Sequence, residues 1–144
     1  MAFKVLIMGL PGSGKTTLAN ALIEHLKVVK PQINVDWFNA DLIRQQFNDW
    51  DFSREGRLRQ SERMGNLASH SEADLVICDF VAPLEAMREI FAADYTIWLD
   101  TISEGRFEDT NSVFSPPKTY MFRITEKNAQ EWVGPIASSL ISAL

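Results

Sequence analysis

The segment Gly9-Leu10-Pro11-Gly12-Ser13-Gly14-Lys15-Thr16 lies between an apolar run, Phe3-Lys4-Val5-Leu6-Ile7-Met8, and a stretch from Thr16 to Val29 whose apolar residues recur at helical spacing. The apolar run reads as a strand covered on both faces, and Leu18, Ala21, Leu22, His25 and Leu26 mark one side of a helix that Pro31 ends. A glycine-rich loop between a strand and a helix has a specific use. A nucleoside triphosphate carries about four negative charges, and bare backbone N–H groups at a helix start can wrap them closely. Gly9, Gly12 and Gly14 allow that wrap, Lys15 brings positive charge to the outer phosphates, and the Thr16 hydroxyl suits Mg²⁺. With Pro11, Ser13 and Thr17 these residues form the expected nucleotide-binding set, and Lys15 is the first expected catalytic residue.

The rest of the chain alternates strand and helix. Val35–Asn39, Leu75–Asp79, Tyr95–Leu99 and Tyr120–Ile124 read as strands. Helices are expected at Asp41–Phe47, from a cap at Ser53 to about Ser69, at Pro83–Phe91 and at Glu126–Leu144. This order, with the glycine loop after its first strand, predicts an α/β, three-layer P-loop NTPase/kinase fold, with a five-stranded, mostly parallel sheet and helices on both faces. No repeat or linker divides the chain, so residues 1–144 are read as one domain.

Composition narrows the function classes. The 144 residues are 46% hydrophobic, enough for one core, and the formal charge of −5 disfavours a protein that coats nucleic acid or an anionic membrane. Apolar runs stay far below the roughly 20 residues of a membrane span, and no export signal is read, so a cytoplasmic location is expected. The lone Cys78 sits in Leu75-Val76-Ile77-Cys78 and reads as a small buried hydrophobe. His25 and His70 have no second ligand at metal spacing.

The residues opposite the loop must identify the phosphate acceptor. Asn39-Ala40-Asp41-Leu42-Ile43-Arg44 and Phe52-Ser53-Arg54-Glu55-Gly56-Arg57 gather carboxylate, guanidinium and aromatic groups at the C-terminal ends of strands, where open α/β sheets bind ligands. Here the sequence resembles the adenylylsulfate kinase family, over most of its length. The family's Gly-Leu-x-Gly-x-Gly-Lys-Thr-Thr matches residues 9–17, and its Asp-Gly-Asp-x-x-Arg resembles residues 39–44. Its Phe-Ser-x-x-x-Arg matches Phe52, Ser53 and Arg57; its Phe-Ile-Ser-Pro resembles Phe80-Val81-Ala82-Pro83; its Phe-x-x-x-Asp-Ser-x-Tyr-x-x-Pro resembles Phe107 to Pro117.

The resemblance implies phosphorylation of the ribose 3′-hydroxyl of adenosine 5′-phosphosulfate, with MgATP as donor. It places Arg44 and Arg57 at the phosphosulfate, Phe52 and Phe107 against the adenine, and Asp41 near the metal and the acceptor hydroxyl. Asp41 and Arg44 thereby join Lys15 as expected catalytic residues, while Asn39, Gln60, Val81 and Ala82 complete the implied substrate-binding set. The implied cofactors are ATP and Mg²⁺, the implied partner is a small anionic nucleotide, and a homodimer is compatible.

The chain departs from the family pattern at several points. Asn39 replaces the first Asp of its motif, Gln60 replaces an Asn and Ala82 a Ser. Asp100-Thr101 runs almost directly to Arg106-Phe107, where the family carries a longer lid rich in Lys and Arg. Arg106 is the basic residue left nearby, so slow turnover, ATP hydrolysis without acceptor or completion by a partner is expected. Asp79 is either a second metal-organising carboxylate beside Thr16 or the cap of the turn before Pro83.

Arg57, Gln60 and Arg63 share one arc of a helix, which suits either a ligand or water, and Arg54 and Arg59 read as surface. Glu108 and Asp109 read as a solvated loop. Trp37, Trp50, Trp98 and Trp132 are scattered and receive no role. Two other readings remain open: a kinase for another small metabolite or nucleotide, and a nucleotide-dependent binding or regulatory protein.

Overall fold

The computed structural model describes residues 2–104 and 108–144. Five strands, β1 (Phe3–Gly9), β2 (Val35–Asn39), β3 (Leu75–Asp79), β4 (Tyr95–Leu99) and β5 (Phe122–Ile124), form one sheet in the order β2-β3-β1-β4-β5. Every pairing is parallel. The expected mostly parallel sheet is thus parallel throughout, with β1 and its phosphate loop in the centre.

Alternation along the strands sends side chains to two cores. Val5, Ile7, Leu75, Ile77, Ile97 and Ile124 pack with Leu18, Leu22 and Leu26 of α1 (Lys15–Val29) and with Ile136 and Leu140 of α6 (Ala129–Ala143). Leu6, Met8, Val76, Cys78 and Trp98 face the other way. They meet Ile43 of α2 (Ala40–Phe47), Met64 and Ala68 of α3 (Arg54–His70), and Met87 and Phe91 of α4 (Glu85–Phe91). Strands buried on both faces explain why their sequences read as near-continuous apolar runs.

Several boundaries differ from expectation. The α4 helix begins at Glu85 rather than Pro83, with Leu84 as its first flanking residue. The last strand is confined to Phe122–Ile124, and α6 begins at Ala129 and carries Pro135 inside it. An additional helix, α5 (Glu108–Val113), occupies the segment read as a solvated loop. Its six residues show no apolar periodicity, and α5 is followed by Phe114, which packs on the second core. The Ser53 cap forms as expected, its hydroxyl accepting from the Gly56 N–H at 3.1 Å. No described helix is long and apolar enough to cross a membrane.

Candidate active site

The loop between β1 and α1 adopts the geometry that its glycines permit. Gly12 and Gly14 have φ of +88° and +103°, values that strain any residue with a Cβ. Gly14 flanks the start of α1, so the first N–H groups of that helix open toward the loop. The Lys15 ammonium donates to the carbonyls of Gly9 and Leu10, both at 3.1 Å, and so lies folded over the cradle. Ser13 N–H donates to the Leu10 carbonyl at 3.0 Å, while Thr16 and Thr17 are exposed and Pro11 is half-buried. The chain leaving β4 returns at once to the loop: the Thr101 hydroxyl donates to the Ser13 carbonyl at 2.8 Å.

A polar chain runs sideways from Thr16. The Asn39 amide nitrogen donates to Thr16 Oγ1 at 3.2 Å and to Asp79 Oδ1 at 2.8 Å. Its carbonyl accepts from the Leu42 N–H at 3.1 Å and caps α2. The indole N–H of Trp37 donates to Asp79 Oδ2 at 2.6 Å. Asp79 is 2% exposed. Burial pushes its carboxyl above the usual range, and the bonds from Trp37 and Asn39 and the charge of Lys15 work against that shift. Of the alternatives for Asp79, the side chain points back to β2 and the phosphate loop. Trp37, given no role by sequence, is part of this site; its position two residues before Asn39 on a strand was the available signal.

The donor chemistry fits a phosphate-bound Mg²⁺, which takes hard oxygen ligands and keeps several waters. Thr16 and Asp79 would hold it from the protein side. Among the described residues, no group of three or more His, Cys, Asp or Glu gathers into a self-sufficient metal cage.

The basic residues form a second cluster beside α2. Arg44 is 4% exposed and Arg57 6%, yet both guanidiniums lie near the exposed ring of Phe52, at 4.3 and 5.6 Å from its centroid. Arg44 donates to the carbonyls of Asp49 (2.9 Å) and Asp51 (3.2 Å), and Arg57 to the Phe52 carbonyl at 2.7 Å. Burial lowers the affinity of Arg44 for its proton, Asp49 opposes that effect, and the nearby Arg57 adds to it.

Arg57, Gln60 and Arg63 face inward rather than forming a solvated arc. Gln60 is 2% exposed, donates to the Ala40 carbonyl at 3.1 Å and accepts from Arg63 at 2.7 Å. It ties α3 to the start of α2. Arg59, read as surface, is exposed but bridges Asp49 and Asp51. Arg63 also reaches Asp49, at 2.9 Å. These bonds hold the Asp49 carboxyl well below its usual range.

Asp41 is exposed in the first turn of α2, two residues after Asn39. Val81 is half-buried past the end of β3, whereas Ala82 is fully buried at φ +47°, its carbonyl accepting from Arg88 at 2.7 Å. The expectations for Arg106 and Phe107 fall outside the described residues. Cys78 is buried and its thiol is pushed up to about 12, as a core residue would be.

Comparison with known proteins bears on the fold and the family. A probable adenylyl-sulfate kinase from Aeropyrum pernix is 36% identical over 89 residues, which are 60% of this chain and 48% of that protein. The match spans about half the length of that curated relative. The Mycobacterium tuberculosis APS kinase CysC, solved with AMPPNP and APS, superposes with a TM-score of 0.74 at 22% identity, over 96% of this chain and 97% of that one. The hexameric APS kinase from Thiobacillus denitrificans gives a TM-score of 0.76 at 26% identity, over 99% of this chain and 29% of that one. The adenylylsulphate kinase family model matches residues 1–99. Because that match takes in the phosphate loop and every strand through β4, the chain belongs to the adenylylsulphate kinase family.

Proposed function

We propose that this chain transfers the γ-phosphoryl group of MgATP to the 3′-hydroxyl of adenosine 5′-phosphosulfate. The observation that carries the reading is the pairing of two buried guanidiniums, Arg44 and Arg57, with the half-exposed ring of Phe52. An aromatic ring beside two fixed positive charges suits a ligand that is both a base and an oxyanion. The complex of the M. tuberculosis enzyme with APS supports the same acceptor class.

In this mechanism the loop N–H groups and Lys15 hold the triphosphate and neutralise charge as it moves outward. Lys15 would leave the Gly9 and Leu10 carbonyls to meet the outer phosphates. Thr16 and Asp79 would hold a phosphate-bound Mg²⁺ from the protein side, and the ion would supply positive charge against the phosphates. Asp41 orients the acceptor hydroxyl from the first turn of α2 and takes its proton as transfer proceeds. Val81, Ala82 and Gln60 shape the acceptor pocket, Gln60 by fixing α3 against α2. The reading includes a cytoplasmic location, where MgATP is abundant, and a homodimer, which sedimentation would test.

One observation favours a second reading, nucleotide binding with little transfer. The Asn39 amide is spent on Thr16, Asp79 and the α2 cap, so position 39 offers no base. Incubation of the protein with MgATP and adenosine 5′-phosphosulfate, following ADP and acceptor phosphate together, separates the two. Stoichiometric product supports transfer to this acceptor; ADP formation that ignores it while another acceptor is phosphorylated refutes it. Lys15→Ala is expected to abolish the activity, and transfer that survives in this variant would refute the mechanism.

A further inference from the structure

Trp37 and Asn39 stand on the same face of β2, and the parallel register sets Asn39 opposite Asp79 and Trp37 opposite Ile77. Each oxygen of the Asp79 carboxylate therefore meets a different donor from the neighbouring strand: Oδ2 the Trp37 indole N–H at 2.6 Å, and Oδ1 the Asn39 amide at 2.8 Å. The two donors differ in kind. An indole N–H only donates, so its bond needs an acceptor and always pulls the same way. The Asn39 amide is fixed at its other end by the Leu42 N–H, and its nitrogen also reaches the Thr16 hydroxyl. The ring of Trp37 packs on the core beneath α1, which limits its own freedom.

We infer that Trp37 is a positioning residue for the cation side of this site, forming with Asn39 a two-donor clamp that aims the Asp79 carboxylate. A carboxylate held at one oxygen still swings about its terminal torsion, and one held at both does not. With the plane of Asp79 fixed and its Oδ1 linked to Thr16 Oγ1 through the Asn39 amide, little ordering is left to be done when a phosphate-bound cation arrives. Asn39 couples the two oxygens that such a cation would use, Thr16 Oγ1 and Asp79 Oδ1, and Trp37, by holding Oδ2, keeps the carboxylate from rotating away. The inference rests on the proposed role of Asp79 in binding MgATP, and it is independent of the acceptor.

The test uses the full chain and MgADP. Trp37→Phe retains the apolar ring and deletes the N–H. Calorimetric titration with ADP at increasing free Mg²⁺ is expected to show Mg²⁺-free binding changed by less than about twofold, but the gain in affinity that Mg²⁺ gives reduced about tenfold, the size of one hydrogen bond to a charged group. In an Asp79→Asn background, Trp37→Phe should add no further loss of that gain. An unchanged Mg²⁺ gain in Trp37→Phe, or an equal loss in the Asp79→Asn background, overturns the clamp.

Should Trp37→Phe fail to fold, the wild-type chain labelled with 5-fluorotryptophan supplies the second measurement. One of its four ring resonances should move when Mg²⁺ joins bound ADP and not when ADP alone binds. The absence of any Mg²⁺-dependent resonance overturns the proposal equally. Since neither readout involves adenosine 5′-phosphosulfate, failure to phosphorylate that acceptor would refute the proposed function and leave the clamp standing.

Discussion

Gly9→Ala places a methyl group where the sheet and the phosphate loop come closest. A Cβ at Gly9 falls 2.5 Å from Ser13 Oγ, 2.6 Å from the Leu99 carbonyl oxygen and 3.2 Å from Leu99 Cβ. The first two contacts are at least about half an ångström too short, so something must move. Ser13 is 1% exposed and has little room, and the Leu99 carbonyl belongs to β4, which pairs with β1 in the register Gly9↔Leu99. Relief therefore requires the centre of the sheet to spread at its C-terminal end or the loop to back away from α1.

Overpacking of this kind, against backbone, costs about 3 kcal/mol. For a chain of this length that lowers the melting temperature by roughly 10 °C. Calorimetry without nucleotide measures this shift, and titration with MgATP should show weaker binding because the cradle is displaced. Gly65→Ala is the matched comparison: there a Cβ meets only Ile90 and Phe91 atoms at 3.8 to 3.9 Å, ordinary contact, inside α3. Removing a helix-interior glycine is worth about 0.5 to 1 kcal/mol, so this variant should melt a few degrees higher. A Gly9→Ala protein that melts within about 2 °C of the wild type and binds MgATP normally would refute the reasoning.

Three other outcomes are expected. Arg57→Ala should raise the KM for adenosine 5′-phosphosulfate by at least about tenfold and leave that for ATP nearly unchanged, which initial-rate kinetics would check. Asp49 is held below its unfolded pKa by bonds from Arg59 and Arg63, so its stabilising contribution is present above that value and lost as pH falls through the folded one. Asp49→Asn should accordingly flatten the acid limb of stability from about pH 4 downward in melts across pH. The short run from Asp100 to Arg106 predicts ADP formation from ATP without acceptor; a coupled ADP assay that detects none until acceptor is added would refute it.

Some of the site was written in local sequence and some was not. The glycine loop was legible because each residue type in it has a separate physical task at fixed spacing, and its strand and helix neighbours lie beside it in the chain. Boundaries of β3 and β4 were legible for a related reason, since strands buried on both faces are short apolar runs with polar ends. The α5 helix was not: six residues, Glu108–Val113, lack any apolar period, and its Thr110 hydroxyl accepts from Arg57, 53 residues away in the chain. Trp37 was passed over because its partner, Asp79, lies 42 residues away in the chain.

The inward face of Gln60 and Arg63 was equally hidden. A helix arc of polar residues has the same pattern whether it meets water or other polar groups, and only the packing of α3 against α2 and the Asp49 loop distinguishes them. By itself, then, the sequence determined a phosphate cradle on a parallel α/β sheet, because those signals arise between residues close in the chain. The tertiary structure alone decided that Thr16, Asn39, Asp79 and Trp37 form one connected chain, because strand order and register bring β2 and β3 side by side.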